Sequence, residues 1–265
     1  MIENKLRGNS EDPGLYEFTS HTFTALAVGH TAPTTSTVSS AYSGVVASYI
    51  SGVGVRQRWM VPKTATYRIQ AAGAGSANAT PYGGATVQAD FDLVEGSYLY
   101  ITCGQLGGNS GAGGGTAVST SQNINVIICG GGSGATGGTV DRAGKPYITG
   151  SLNASGAGGS GSGYAGGGGG YSGYGGGGNN FRGKNFKDGA NTSGTDHYWN
   201  GPTGGWGAGG GGMSASYYGQ WAGGGGYVGG GSRQGGTSFI VNTASNPSDI
   251  NRTNVGGGFV TITVL

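Results

Sequence analysis

Charge is scarce in this chain. Lys and Arg number 13 and Asp and Glu 11 among 265 residues, a formal net charge of +2. So weak a field offers nothing to steer nucleic acid, and no basic stripe runs along the sequence. The few acidic residues form no paired-carboxylate motif in a context that suits acid–base chemistry, which argues against an enzyme. Cysteine is nearly missing: Cys103 and Cys129 are the only two. A disulfide-stapled scaffold is excluded, and no His/Cys spacing supplies the ligands of a metal site. Each cysteine ends an apolar run and precedes glycine, so both are expected as buried small hydrophobes in neighbouring strands. Proline numbers 7 against 65 glycines, which rules out a collagen repeat. No apolar run approaches the roughly 20 residues of a membrane helix. The opening Met1-Ile2-Glu3-Asn4-Lys5 lacks an apolar signal region, so a cytosolic origin is expected, with exit by lysis or on a particle.

Glycine is what the chain has instead. Between Gly156 and Gly236 short runs (Gly166–Gly170, Gly175–Gly178, Gly209–Gly212, Gly223–Gly226, Gly229–Gly231) alternate with aromatics. Fixing a backbone costs about 1–2 kcal/mol per residue, most for glycine, while one hydrogen bond returns about 0.5–1.5 kcal/mol net. Isolated glycine loops therefore do not hold still. A bundle of extended helices with three residues per turn can, because chains without Cβ pack backbone to backbone and pair every polar group sideways. A run of four or five glycines would span roughly 12–15 Å. Tyr164, Tyr171, Tyr174, Trp206 and Tyr227 suit the role of caps on such a bundle.

The rest of the chain carries strand chemistry. Residues 15–59 are rich in Thr, Ser, Val and Tyr, and β-runs follow at Thr66–Ala71, Ala85–Phe91, Tyr98–Cys103, Thr116–Ser119 and Asn123–Cys129. A last run, Gly258–Leu265, must pair with strands laid down earlier. No capped amphipathic helix is expected; Thr31–Ser48 is too β-branched and glycine-interrupted. The expected fold is all-β: a β-sandwich or jelly-roll-like framework carrying an inserted bundle of polyglycine II helices. Its parts are an N-terminal docking arm at 1–14, a framework at 15–135 plus 256–265, and the glycine bundle at 136–255.

Trp59-Met60-Val61-Pro62, Thr66-Tyr67-Arg68-Ile69 and Ala71-Ala72-Gly73-Ala74-Gly75 open an ordered set of motifs. Gly84-Ala85, Leu93–Ile101, Gly104-Gln105-Leu106-Gly107 and Ile127–Gly132 continue it, with Tyr16–Thr19 before and Gly256–Val260 after. The set resembles a widespread glycine-rich domain, and is similar to the glycine-rich domain of anaplastic lymphoma kinase-type receptors. In style it is also similar to the adhesins at the tips of bacteriophage long tail fibres. Both resemblances imply glycine helices bundled on a β framework. A receptor ectodomain needs secretion and disulfides, so the phage relatives fit better. What the resemblance implies is a non-enzymatic virion protein, made in the host cytoplasm and released by lysis. The expected role is a tail-fibre or particle-surface adhesin. The alternative is a structural virion protein, a capsid decoration or a tail-fibre connector, docking on neighbouring subunits.

Chemistry-bearing motifs are few. Gly161-Ser162-Gly163-Tyr164-Ala165-Gly166 matches a dinucleotide-binding pattern only as any glycine-rich chain does, and lacks the strand-to-helix context. Asp196-His197 has no nucleophile in a recognisable setting, and His21 and His30 read as structural or exposed. No cofactor or metal is expected. The candidate receptor-binding residues lie in two loops, 179–200 and 213–222: Arg182, Lys184, Lys187, Tyr198, Trp199, Tyr217, Tyr218 and Trp221. Tyr and Trp give large contact area with few rotors, and the neighbouring Ser and Asn adapt their hydrogen bonds. The expected partner is a bacterial surface receptor, a porin loop or a lipopolysaccharide sugar, with the three cations meeting phosphates. Other virion subunits would dock through the N-terminal region, without nucleic acid and without membrane insertion.

Overall fold

Alternation decides which face of each strand is buried. The computed structural model describes residues 19–42, 50–53, 56–76, 82–108, 111–121, 124–134, 143–152, 155–161, 166–177, 183–186, 207–209 and 222–265. Its strands are β1 (Ser20–Thr24), β2 (Ile50–Val53), β3 (Arg56–Met60), β4 (Ala65–Ala72), β5 (Gly84–Leu93) and β6 (Tyr98–Thr102). They continue with β7 (Thr116–Ser121), β8 (Ile124–Gly130), β9 (Lys145–Gly150), β10 (Thr237–Val241), β11 (Ser245–Asn254) and β12 (Phe259–Val264). One sheet runs β1-β12-β4-β5-β11, the other β2-β3-β6-β7-β8-β10-β9. The chain is thus mostly β, in two sheets. The last strand does find earlier partners: β12 lies between β1 and β4, with Ile262 opposite Ile69.

In the first sheet Phe23, Tyr67, Ile69, Val87, Ala89, Phe91, Val260 and Ile262 are buried, and in the second Trp59, Leu99, Ile101, Val118 and Ile128. Trp59 of β3 meets Tyr67 of β4 edge-on, with ring centroids 5.6 Å apart, joining the two sheets. Burying each such side chain stabilises by about 1.5–3 kcal/mol. On the opposite face of the first sheet Arg68 grips Asp90 with two bonds of 2.8 and 3.0 Å, and Asn246 donates to the same carboxylate at 2.8 Å. That cluster ties β4, β5 and β11 together. The Arg68 guanidinium, with help from Asn246, holds the Asp90 carboxyl below its usual range, against the opposing effect of burial.

One expectation needs correcting. A helix does exist within Thr31–Ser48: α1 spans Thr35–Ala41. Thr34 is its N-cap, whose hydroxyl accepts from the Thr37 N–H at 3.1 Å, and Val38 alone in the helix is buried. A cap and one apolar residue suffice for two turns laid on a sheet, where a longer apolar stripe is what periodicity detects. Strands and glycine segments interleave along the chain. Strands β9, β10 and β11 come from within 136–255: β10 pairs with β8 and carries β9 on its other side, and β11 pairs with β5. Glycine segments at 111–115 and 130–134 in turn bond to residues 207, 225 and 236. The arm at 1–14 lies outside the described residues.

The glycine segments leave the ends of β4, β6 and β8, and their bonding has a period of three. Gly167, Gly168, Gly169 and Gly170 donate in turn to Gly176, Gly230, Ala208 and Gly173. The first and fourth thus return to one neighbour, and the two between go elsewhere. Gly223 and Gly226 likewise reach Gly166 and Gly169, while Gly224 and Gly225 reach Gln234 and Gly113. Carbonyls follow suit: Gly183 and Phe186 donate to Gly167 and Gly170. Residues 166–170 are therefore surrounded by other main chain.

Two tests follow from this packing. A methyl added at Gly168 collides with the Gly224 carbonyl, whereas one at Gly256 finds its nearest atom, Asn254 Oδ1, 3.6 Å away. Gly168→Ala should destabilise by about 3 kcal/mol or more in denaturant unfolding, and Gly256→Ala should lie between neutral and about 1 kcal/mol stabilising. The second concerns acid. Because the folded-state value of Asp90 is depressed, its contribution is present above the unfolded value near pH 4 and is lost as pH falls through the folded one. Thermal melts between pH 2 and 6 should show a shallower acid limb for Asp90→Asn than for the wild type.

Candidate functional site

The glycine segments cover the outer face of the second sheet, and aromatic residues pin them there. Phe239 on β10 stacks on Tyr227 with centroids 3.8 Å apart, and Tyr227 stacks on Tyr171 at 5.3 Å. The main chain fixes the same column: Tyr227 N donates to Thr237 O at 2.9 Å and Tyr171 N to Tyr227 O at 2.8 Å. Burial, reinforced by Tyr171 and Cys129, pushes the Tyr227 phenol up to about 12, so it stays neutral. Tyr171 and Tyr227 are thus packing residues. Tyr174 is the exception among the described caps, at 42% exposed. Tyr164 and Trp206 lie outside the described residues.

Of the candidate binding residues, Lys184 is described. It is half-buried on the segment 183–186, beside Asn185, whose Nδ2 donates to Ser172 O at 2.8 Å. Lys184 therefore belongs to the glycine layer more than to a free loop. Arg182, Lys187, Tyr198, Trp199, Tyr217, Tyr218 and Trp221 lie outside the described residues, as do Asp196 and His197. Their points of departure are defined, however. Gly167 bonds to Gly176 and Gly183, Gly166 to Gly223, and Ala222 packs on Ala112. The described residues that flank the others are bonded into the layer as well, Phe186 to Gly170 and Gly115 to Gly207.

Two features of β3 escaped the reading of the sequence. Arg58 lies over the ring of Tyr98, 4.6 Å from its centroid, donates to Ser51 Oγ at 3.1 Å, and leaves Tyr98 39% exposed. Arg56 is 4% exposed. Its Nη2 donates to Phe186 O at 3.1 Å, where the glycine layer meets the sheet. Burial lowers its guanidinium to about 10, still charged at neutral pH. The signal was the alternation Arg56-Gln57-Arg58-Trp59: with Trp59 and Gln57 inward, both arginines face the side that the glycine layer partly covers. Gln57 itself is buried between Tyr42, Thr24 O and Cys103. His21 sits in the same region against Phe23 and Tyr42, and burial lowers its imidazole.

Cys103 and Cys129 are free and buried, as expected, though β7 separates β8, which carries Cys129, from β6, which Cys103 follows. Burial raises both thiols, Cys129 to about 12. The thiolate is the reactive form, so neither should alkylate in the native protein at pH 8. Iodoacetamide followed by mass measurement should find both thiols unmodified without denaturant, and both modified above the unfolding midpoint.

No family model matches this chain, and no match to it was found among curated proteins.

Proposed function

We propose that the glycine segments are polyglycine II helices on a β-sandwich, and that they display loops of a non-enzymatic bacteriophage virion protein. The period-three return of hydrogen bonds, Gly167 and Gly170 to one neighbour and Gly168 and Gly169 to others, carries this reading. Three residues per turn without internal bonds is the signature of that helix. An α-helix would bond within itself, and a strand would alternate between two neighbours.

Rigid main chain on this scale suits presentation. The described residues that flank 178–182 and 210–221, among them Gly176, Gly183, Ala208 and Ala222, are held by main-chain bonds or packing, a support with little freedom. Residues 210–221 include Tyr217, Tyr218 and Trp221, and residues 178–182 include Arg182. We assign these as the host-contacting set of a tail-fibre or particle-surface adhesin, with a porin loop or a lipopolysaccharide sugar as receptor. The virion assignment itself rests on the order of motifs from Trp59 to Val260.

Replacing Tyr217, Tyr218 and Trp221 together with Ala should abolish adsorption of the particle to host cells while leaving the unfolding midpoint within about 2 °C of wild type. Normal adsorption by the folded triple variant would exclude this loop. It would favour instead a structural subunit that docks on neighbouring virion proteins.

A further inference from the structure

Arg56 is a buried cation without a counter-charge among the described residues. Its Nε has no hydrogen-bond partner, its Nη2 meets only the neutral carbonyl of Phe186, and no carboxylate bonds to it among the described residues. An unpaired buried charge is costly enough that proteins normally pair it or neutralise it. A guanidinium does not neutralise near pH 7. Something must therefore answer the charge.

The place for it is a small cavity between the second sheet and the glycine layer. It is lined by Arg56, Thr102, Ala117, Ser119, Val126 and Phe186 and measures about 10 Å³. Thr102 and Ser119 are 3% and 5% exposed and carry hydroxyl donors, and the Ser119 hydroxyl otherwise reaches only Tyr100 O at a long 3.4 Å. Size decides the class of occupant. The space admits about one small sphere, which suits a monatomic ion better than phosphate or sulfate. Charge decides between water and an ion: a site of donors around a cation favours an anion.

We propose that this cavity is a monatomic anion site, filled by chloride, which bridges Arg56 of β3 to the hydroxyls of β6 and β7 beneath Phe186. The ion completes the seam where the glycine layer is bound to the sheet. The site is independent of any receptor-binding role.

The test compares thermal unfolding in sodium chloride and sodium gluconate at equal ionic strength. Wild-type protein should gain about 3 °C in chloride, saturating with concentration, because a ligand that binds only the folded state stabilises by mass action. The gain should vanish in Arg56→Met and shrink in Thr102→Val. An equal response in wild type and Arg56→Met, or no response in wild type, overturns the proposal. Should Arg56→Met fail to fold, crystals of the wild-type protein grown in sodium bromide decide the matter. An anomalous peak within hydrogen-bond reach of Arg56 Nε, together with the saturable gain, supports the site. A cavity holding water, or a peak without the gain (an adventitious ion only), overturns it.

Discussion

Main-chain hydrogen bonds between segments that lack side chains are the constraint on which this molecule depends. In a sheet each strand answers two neighbours, and side chains fill the space above and below. Around Gly167–Gly170 there is no such space: main chain from 156–161, 173–177, 183–186, 207–209, 222–226 and 229–231 lies in contact. Every buried N–H and C=O there must find a partner across the gap, because water is excluded and an orphan group costs about 1–3 kcal/mol. Glycine is required by the approach distance before any question of backbone conformation arises.

Such packing does not stand alone. Ordering a glycine costs as much as or more than the net return of its single hydrogen bond, so a layer of them needs support from elsewhere. The support has two sources here. Strands β4, β6 and β8 run directly into glycine segments, so the sheet fixes the start of each, as at Gly73, Gly104 and Gly131. The column Phe239–Tyr227–Tyr171 then adds aromatic burial from the sheet outward into the layer. Each ring brings about as much as several hydrogen bonds. Sheet and glycine layer are joined by main-chain bonds and by stacked rings.

Local chemistry made the strands legible and left the joints obscure. The runs at Thr66–Ala71, Ala85–Phe91, Tyr98–Cys103 and Gly258–Leu265 lie almost residue for residue on β4, β5, β6 and β12, since apolar alternation reports a half-buried strand directly. β11 was missed because Ser245–Asn254 is polar apart from Pro247 and an exposed Ile250: as an edge strand outside the core it carries no alternation, and its pairing with β5 is irregular. β9 and β10 were missed because they are short and embedded in glycine-rich sequence. The packing role of Tyr171 and Tyr227 was legible from their place beside glycine runs, but their partner Phe239, 12 residues beyond Tyr227, was not. Arg56 could be placed on a face by alternation, yet its lack of a carboxylate depends on what the glycine layer brings over it.

The same contrast bears on how the two halves of this sequence tolerate change. A substitution at Gly168 meets a carbonyl of a neighbouring segment, and the neighbour cannot retreat because it is bonded in turn to a third. Strain at one glycine is therefore passed through the layer, not absorbed. Ser160, at the end of a segment, faces no such closure: it is exposed, a short distance from the closely packed Gly167. Intolerance at the centre and freedom at the margin come from a single cause, the distance between main chains. That is the physical condition for a surface that can vary in sequence while its support stays fixed, whatever that surface binds.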